Sequence, residues 1–179
     1  MTGLDREKDT IMSICCIITD AELNVLDETG FDAVIHHERE ALDAMDDWCT
    51  RTHGNSGLTA ACLSSKTTPE EAASGLLSYI QQHVPNKREG LLAGNSVHAD
   101  KDFLSRGPYK AALEHLSYRI LDVSSIKEAA RRWADQDVLR KAPRKKGLHE
   151  ARADILESIQ EARFYKDVFF TPSRKAESG

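Results

Sequence analysis

The sequence predicts an α/β fold with a mixed β-sheet flanked by helices. Two early apolar, β-branched runs joined by a short turn suit an antiparallel strand pair. Two later short apolar runs alternate with helical segments. That order, two strands, helices, a strand, a helix, a strand and then helices, suggests an α/β sandwich with a mixed sheet. With 179 residues the chain is expected to form one domain.

The elements follow in order. Residues 10–19 (TIMSICCIIT) read as a buried strand, and 20–24 as a turn. Residues 25–36 read as a second strand anchored by Val25, Phe31, Val34 and Ile35. From Glu38 the period becomes helical through Leu42, Met45 and Cys49, until residues 54–57 (GNSG) break it. Thr68, Pro69, Glu70 and Glu71 make a helix start: a Thr cap, Pro at the first position, then acids against the dipole. That helix stops at Pro85. Residues 90–97 read as a strand, 100–116 as helix broken at Gly107 and Pro108, and 119–123 as a short strand. Ser124 or Ser125 caps the next helix, which reaches about Trp133. A basic loop spans 140–147, and a long helix spans 148–170 with Ala151, Ile155, Ile159, Ala162 and Phe164 facing inward. The domain therefore covers 1–170, and 171–179 is expected to be a disordered tail.

Composition excludes some functions. Twenty-four Lys+Arg against 29 Asp+Glu leaves a net charge of −5, so a broadly basic nucleic-acid binder is not expected. A small basic cleft within an acidic total remains compatible. The longest apolar stretch, residues 14–18, is far shorter than the ~20 residues a membrane span needs, so no membrane partner is expected. The first ten residues lack a signal-peptide core. Cys15, Cys16, Cys49 and Cys62 form no CxxC pair and read as small hydrophobes in a reducing compartment.

Two segments carry chemistry. In Gly147, Leu148, His149, Glu150, Ala151, Arg152, Ala153 and Asp154, a His at a helix entrance and an Asp five residues on can face one cleft. That suits a general base beside a metal-ligating carboxylate. A capping His and a surface Asp are the bland alternative. In residues 93–100 (AGNSVHAD), Asp100 follows a strand and opens a helix, at the end of the sheet where ligands gather. The alternative there is a simple N-cap.

With Tyr118, Arg119, Asp122 and Ser124 between these motifs, the chain resembles oligoribonuclease, a DEDDh-type 3′-to-5′ exoribonuclease of the ribonuclease H-like fold. Met1, Thr2, Gly3 and Leu4 are similar to the end of that family's D-x-E-M-T-G-L motif. Trp48, Arg51, Thr52, His53, Ser56, Gly57 and Leu58 are similar to its W-x-x-R-T-H-x-x-S-G-L segment, and Ala129 to Trp133 and Glu157–Ser158 match as well.

The resemblance implies a role for each matching residue. His149 would be the general base. Asp100 and Asp154 would ligate a two-ion Mg²⁺ or Mn²⁺ site. Leu4 and Trp48 would wedge and stack on terminal bases. His53, Ser96, Arg119 and Ser124 would cap the 5′ phosphate of a very short RNA, with Tyr118 reaching in from the partner of a homodimer. The compartment implied is intracellular, mitochondrial or cytoplasmic. Bland alternatives stand beside these: Trp48 as core filling, Arg119 as a surface ion pair, His53 as a satisfied loop residue. Trp133 reads as packing.

The family's first motif places an Asp and a Glu upstream of the Met that is Met1 here. Asp5, Arg6 and Glu7 share the spacing, but they lie in a polar run after the matching Gly3 and Leu4, so they are not that pair. The resemblance thus implies an absent central strand, an apolar gap with unpaired backbone, an incomplete metal site and a chain inactive as written. The rival readings are a non-catalytic short-RNA-binding or dimerising protein and a partly folded fragment.

Overall fold

The computed structural model describes residues 1–143 and 151–171. Strand β1 (Ser13–Cys16) pairs antiparallel with β2 (Phe31–Val34), Ser13 opposite Val34 and Cys16 opposite Phe31. Both strands are shorter than the sequence pattern suggests. Acidic turn residues capture the backbone between them. Asp20 accepts from the Glu22 and Asn24 amides, and Asp27 from the Thr29 and Gly30 amides. Gly30 takes φ +66°, a conformation glycine adopts without cost. One isolated bridge, Thr19 to Val25, is what remains of the longer ladder.

The helical stretch after Glu38 divides into α1 (Arg39–Asp43), α2 (Asp47–Asn55) and α3 (Leu58–Ser64). The first break comes from Asp46, whose carboxylate accepts from the Cys49 amide at 2.7 Å and caps α2. Helix α4 (Pro69–His83) starts as expected, with a reciprocal capping box. Glu71 donates its amide to Thr68 Oγ1 at 3.1 Å, while Thr68 donates its amide to Glu71 at 2.8 Å.

Strand β3 (Leu92–Gly94) is followed by α5 (Val97–Leu104) and α6 (Lys110–His115). Strand β4 (Ile120–Asp122) then lies parallel to β3, Leu92 opposite Ile120 and Gly94 opposite Asp122. Helices α7 (Val123–Trp133) and α8 (Gln136–Leu139) come next. Helix α9 (Ala151–Tyr165) gives way to a π-helical turn at Lys166–Phe170. Its buried face is Ser158, Glu161, Ala162 and Tyr165. Ala162 fits the sequence expectation, while Ile155, Ile159 and Phe164 are only half-buried and Ala151 is exposed. The helix is turned so that Glu161, not an aliphatic residue, faces inward.

The α/β class and the mixture of strand directions stand as expected, but the strands form two separate sheets, β1–β2 and β3–β4, not one. A cavity of about 370 Å³ lies between them. Its sides are β1, extended through Ile18, and β3; Leu76 and Ile80 of α4 and Phe103 of α5 also line it. Helix α9 packs across β1, β3 and α7, and Arg152 ties it to the hairpin through the Thr29 carbonyl (2.7 Å) and Asp32 (3.2 Å). Among the described residues, no helix is long and apolar enough to cross a membrane.

Candidate active site

The parallel register determines what meets at the strand ends. Gly94 and Asp122 are opposite each other, so Ser96 and Ser124, each two residues further on, emerge side by side. Their hydroxyl oxygens are 3.2 Å apart, and the Ser96 amide donates to Ser124 Oγ at 3.0 Å. Ser96 has φ +53°, which costs a non-glycine residue roughly 1 kcal/mol. Two acceptors hold it there: Ser124 Oγ and Asp122 Oδ1, the latter also at 3.0 Å from the Ser96 amide.

Asp122 organises this junction. Oδ1 also accepts from the Ser124 amide at 2.9 Å and caps α7; Oδ2 pairs with His98 Nδ1 at 3.1 Å. The sequence expectation that Ser124 or Ser125 is the cap is therefore corrected. Asp122 is the cap, because its carboxylate reaches two amides at once. Burial opposes its ionisation, yet the His98 hydrogen bond and the two amide donors outweigh that and hold its pKa below the usual range.

Behind the serines lies a buried polar relay. Asn95 Nδ2 donates to Ser124 Oγ (3.4 Å) and to Glu161 Oε2 (3.0 Å). Glu161 Oε1 takes Lys127 Nζ at 2.8 Å and the Tyr165 hydroxyl at 3.1 Å. Burial raises the Glu161 pKa, but these three partners more than offset it and keep the group ionised. Asp122, Asn95 and Glu161 were missed as organisers by sequence reasoning. The signal for Asp122 was present, an Asp two residues before Ser at a strand end. Glu161 carried none, since two of its three partners, Lys127 and Asn95, come from α7 and the β3–α5 turn.

The other expected residues are placed as follows. Asp100 sits in the first turn of α5, not at its cap, and lines the cavity between the sheets with Met1, Ala151 and Ile155. Its side chain reaches solvent on one side. Partial desolvation on the other pushes its carboxyl above the usual range, against the pull of the Met1 ammonium and His98. Asp154 lies on α9 one position before Ile155, beside the cavity-lining stripe. His53 Nε2 donates to the Met1 carbonyl at 3.0 Å, which ties α2 to the amino-terminal segment. Trp48 is 55% exposed, which removes the core-filling reading, and Leu4 is 80% exposed. The Arg119 guanidinium stacks 4.5 Å from the Tyr118 ring centre, and both residues are exposed. Trp133, read as packing, is instead 82% exposed. His149 and the tail 172–179 lie outside the described residues.

The donor set limits the metal chemistry. Asp100 and Asp154 offer hard oxygens suited to a divalent cation. Among the described residues, however, no three His, Cys, Asp or Glu side chains converge. The described residues alone do not make up a two-ion centre, in which two metal ions stabilise the attacking and leaving oxygens.

Residues 1–162 match the Exonuclease family model. The mitochondrial oligoribonuclease of Saccharomyces cerevisiae is 44% identical, over 99% of this chain and 68% of its own length. The chain belongs to the oligoribonuclease family of exonucleases. The mitochondrial oligoribonuclease of Homo sapiens is 46% identical over 95% of the chain and 70% of its own length. The oligoribonuclease of Chromobacterium violaceum is 43% identical over 94% and 91%. Family membership makes the protein an exoribonuclease by class and accounts for the ribonuclease H-like arrangement of strands and helices. Exonucleases of this family typically use divalent metals.

Proposed function

We propose that this chain grips short single-stranded RNA at the carboxyl ends of β3 and β4 and belongs to the 3′-to-5′ degradation of dinucleotides to mononucleotides. The observation that carries the reading is the Ser96–Ser124 hydroxyl pair, fixed by Asp122. Two hydroxyls 3.2 Å apart can both turn toward one phosphate oxygen set, with the first turns of α5 and α7 beside them. Arg119, pre-aligned on Tyr118, adds a planar cation for the 5′ phosphate. The exposed faces of Trp48 and Leu4 suit stacking and wedging against bases without sequence preference. Tyr118 is assigned to the neighbouring active site of a homodimer. His149 is assigned as general base, and Asp100 and Asp154 as part of a Mg²⁺ or Mn²⁺ site. The compartment, mitochondrion or cytoplasm, is assigned from the relatives.

Because the described donors do not complete a two-ion centre, binding outlasts hydrolysis in this reading. The test is binding of a 5′-phosphorylated diribonucleotide by calorimetry. Ser96→Ala with Ser124→Ala should weaken it roughly tenfold or more, as expected for losing hydrogen bonds to a charged group. Arg119→Ala should do the same only when the 5′ phosphate is present. Equal binding of substrate with and without that phosphate would reject the assignment.

A further inference from the structure

A hydroxyl accepts up to two hydrogen bonds and donates one. At Ser124 both acceptor positions are filled from within the protein. The Ser96 amide donates to its Oγ at 3.0 Å, and Asn95 Nδ2 donates at 3.4 Å. The Ser124 proton therefore points outward, to Ser96 Oγ at 3.2 Å or to a ligand. Its direction is set from behind, by the way the Asn95 amide faces.

Asn95 has one orientation that its neighbours accept. Its Nδ2 lies 3.0 Å from Glu161 Oε2, so its two protons are divided between that carboxylate and Ser124. Turning the amide over would set Oδ1 against Oε2, two acceptors with no proton between them. Glu161 is itself held in place. Its side chain is 2% exposed, and Oε1 accepts from Lys127 Nζ at 2.8 Å and from the Tyr165 hydroxyl at 3.1 Å. Asn95 Oδ1 is buried and takes no hydrogen bond among the described residues. An unpaired buried carbonyl costs free energy, so the two N–H bonds are what hold this side chain.

On the reading of the serine pair as a phosphate grip, on which this step rests, we propose that Asn95 and Glu161 are positioning residues for that grip. Glu161 fixes which end of the Asn95 amide faces Ser124, and Asn95 makes Ser124 a donor only. The hydrogen bonds then run one way, from Asn95 to Ser124 and from Ser124 to Ser96 or to the ligand. Such an end suits a group with several bare oxygens, a 5′ phosphate. A 5′ hydroxyl, which brings a proton of its own, gains less from it. When Ser124 donates to a phosphate oxygen, its Oγ becomes a better acceptor and the Asn95 bond behind it tightens.

The test uses the full chain with a 5′-phosphorylated diribonucleotide and its 5′-hydroxyl counterpart, read by calorimetry and by nuclear magnetic resonance of the Asn95 side-chain amide. Asn95→Leu keeps the size of the side chain and moves no charge. It should reduce the preference for the phosphorylated ligand roughly tenfold. In a Ser124→Ala background the same substitution should cause no further loss, because it acts through the Ser124 hydroxyl. A residue that only braced the β3–α5 turn would weaken binding in both backgrounds. In the unmodified chain both Asn95 amide protons should shift when the phosphorylated ligand binds, although Asn95 lies behind the serines, and Ser124→Ala should abolish that shift. The proton facing Glu161 should lie downfield of free asparagine amides and move upfield in Glu161→Gln. The proposal is overturned if Asn95→Leu keeps the phosphate preference, if its effect is the same without the Ser124 hydroxyl, or if saturating ligand leaves the Asn95 amide signals in place. The resonance measurements on the unmodified chain decide the matter even if Asn95→Leu does not fold. Equal binding of both ligands by the unmodified chain would overturn the grip itself, and this proposal with it; the other outcomes leave the grip standing.

Discussion

Two regions of the molecule share the β3 strand and differ in almost every other respect. Beyond its carboxyl end, polar groups are densely paired: Ser96, Ser124, Asp122, Asn95, Glu161 and Lys127 form one connected network. Along its open edge lies an apolar slot whose facing backbone rows are not joined to each other. The first region is ordered by the sequence as it stands. The second holds Asp100, whose carboxyl is pushed above the usual range by partial desolvation. The lesson is that the polar groups at the strand ends can be tied into one network while the strands beneath them form two sheets.

Breaking the polar network should give the largest effect. Glu161→Ala strands Lys127 and Asn95, and it should cost about 3 kcal/mol. That lowers the melting temperature by roughly 6–12 °C. Truncating the slot wall should cost less than burial alone suggests. Ile80→Ala should lose about 2 kcal/mol, the low end for an aliphatic core truncation, because one of its sides already borders a void. If Ile80→Ala costs as much as a fully packed core residue, about 4 kcal/mol, the slot is closed in solution and the comparison fails. Ser124→Ala should change stability by only about 1 kcal/mol while lowering dinucleotide affinity, separating gripping from folding.

The smallest expected effect is a pH dependence. The Glu161 pKa is depressed by its partners, so its contribution is present above the ordinary carboxyl value near 4.3 and is lost as pH falls through the lower folded value. Melting followed from pH 5 downward should therefore fall less steeply in Glu161→Gln than in the unmodified chain. Parallel slopes would show that Glu161 is not the group titrating.

Much of the site was legible because its residues are local. Asp100 follows a strand end, which can be read from a short apolar run and a turn residue, whereas Ser96 and Ser124 were singled out for the site only through the family resemblance. The α4 start was legible to the individual cap, since Thr68, Pro69 and Glu71 act within one turn. Asp122 was quoted within a motif, but its role depends on two amides from different segments, which no local pattern encodes. Glu161 was opaque for the same reason. A buried acid reads as a surface acid until Lys127 and Asn95 are brought to it by packing. The strand lengths were overestimated because Asp20 and Asp27 compete for backbone amides that alternating hydrophobicity would assign to the ladder. Trp133 was misjudged because periodicity places a residue on a helix face without saying what covers that face.

The central proposal is that this chain binds short RNA through the Ser96–Ser124 pair, while its described carboxylates alone do not make up a two-ion centre. The direct measurement is a side-by-side assay with the Homo sapiens relative, using a labelled 5′-phosphorylated diribonucleotide in magnesium, with affinity and cleavage rate read from the same samples. The account predicts affinities within about tenfold of each other and cleavage by this chain at least roughly a thousandfold slower. Comparable cleavage rates, or undetectable binding, would contradict it.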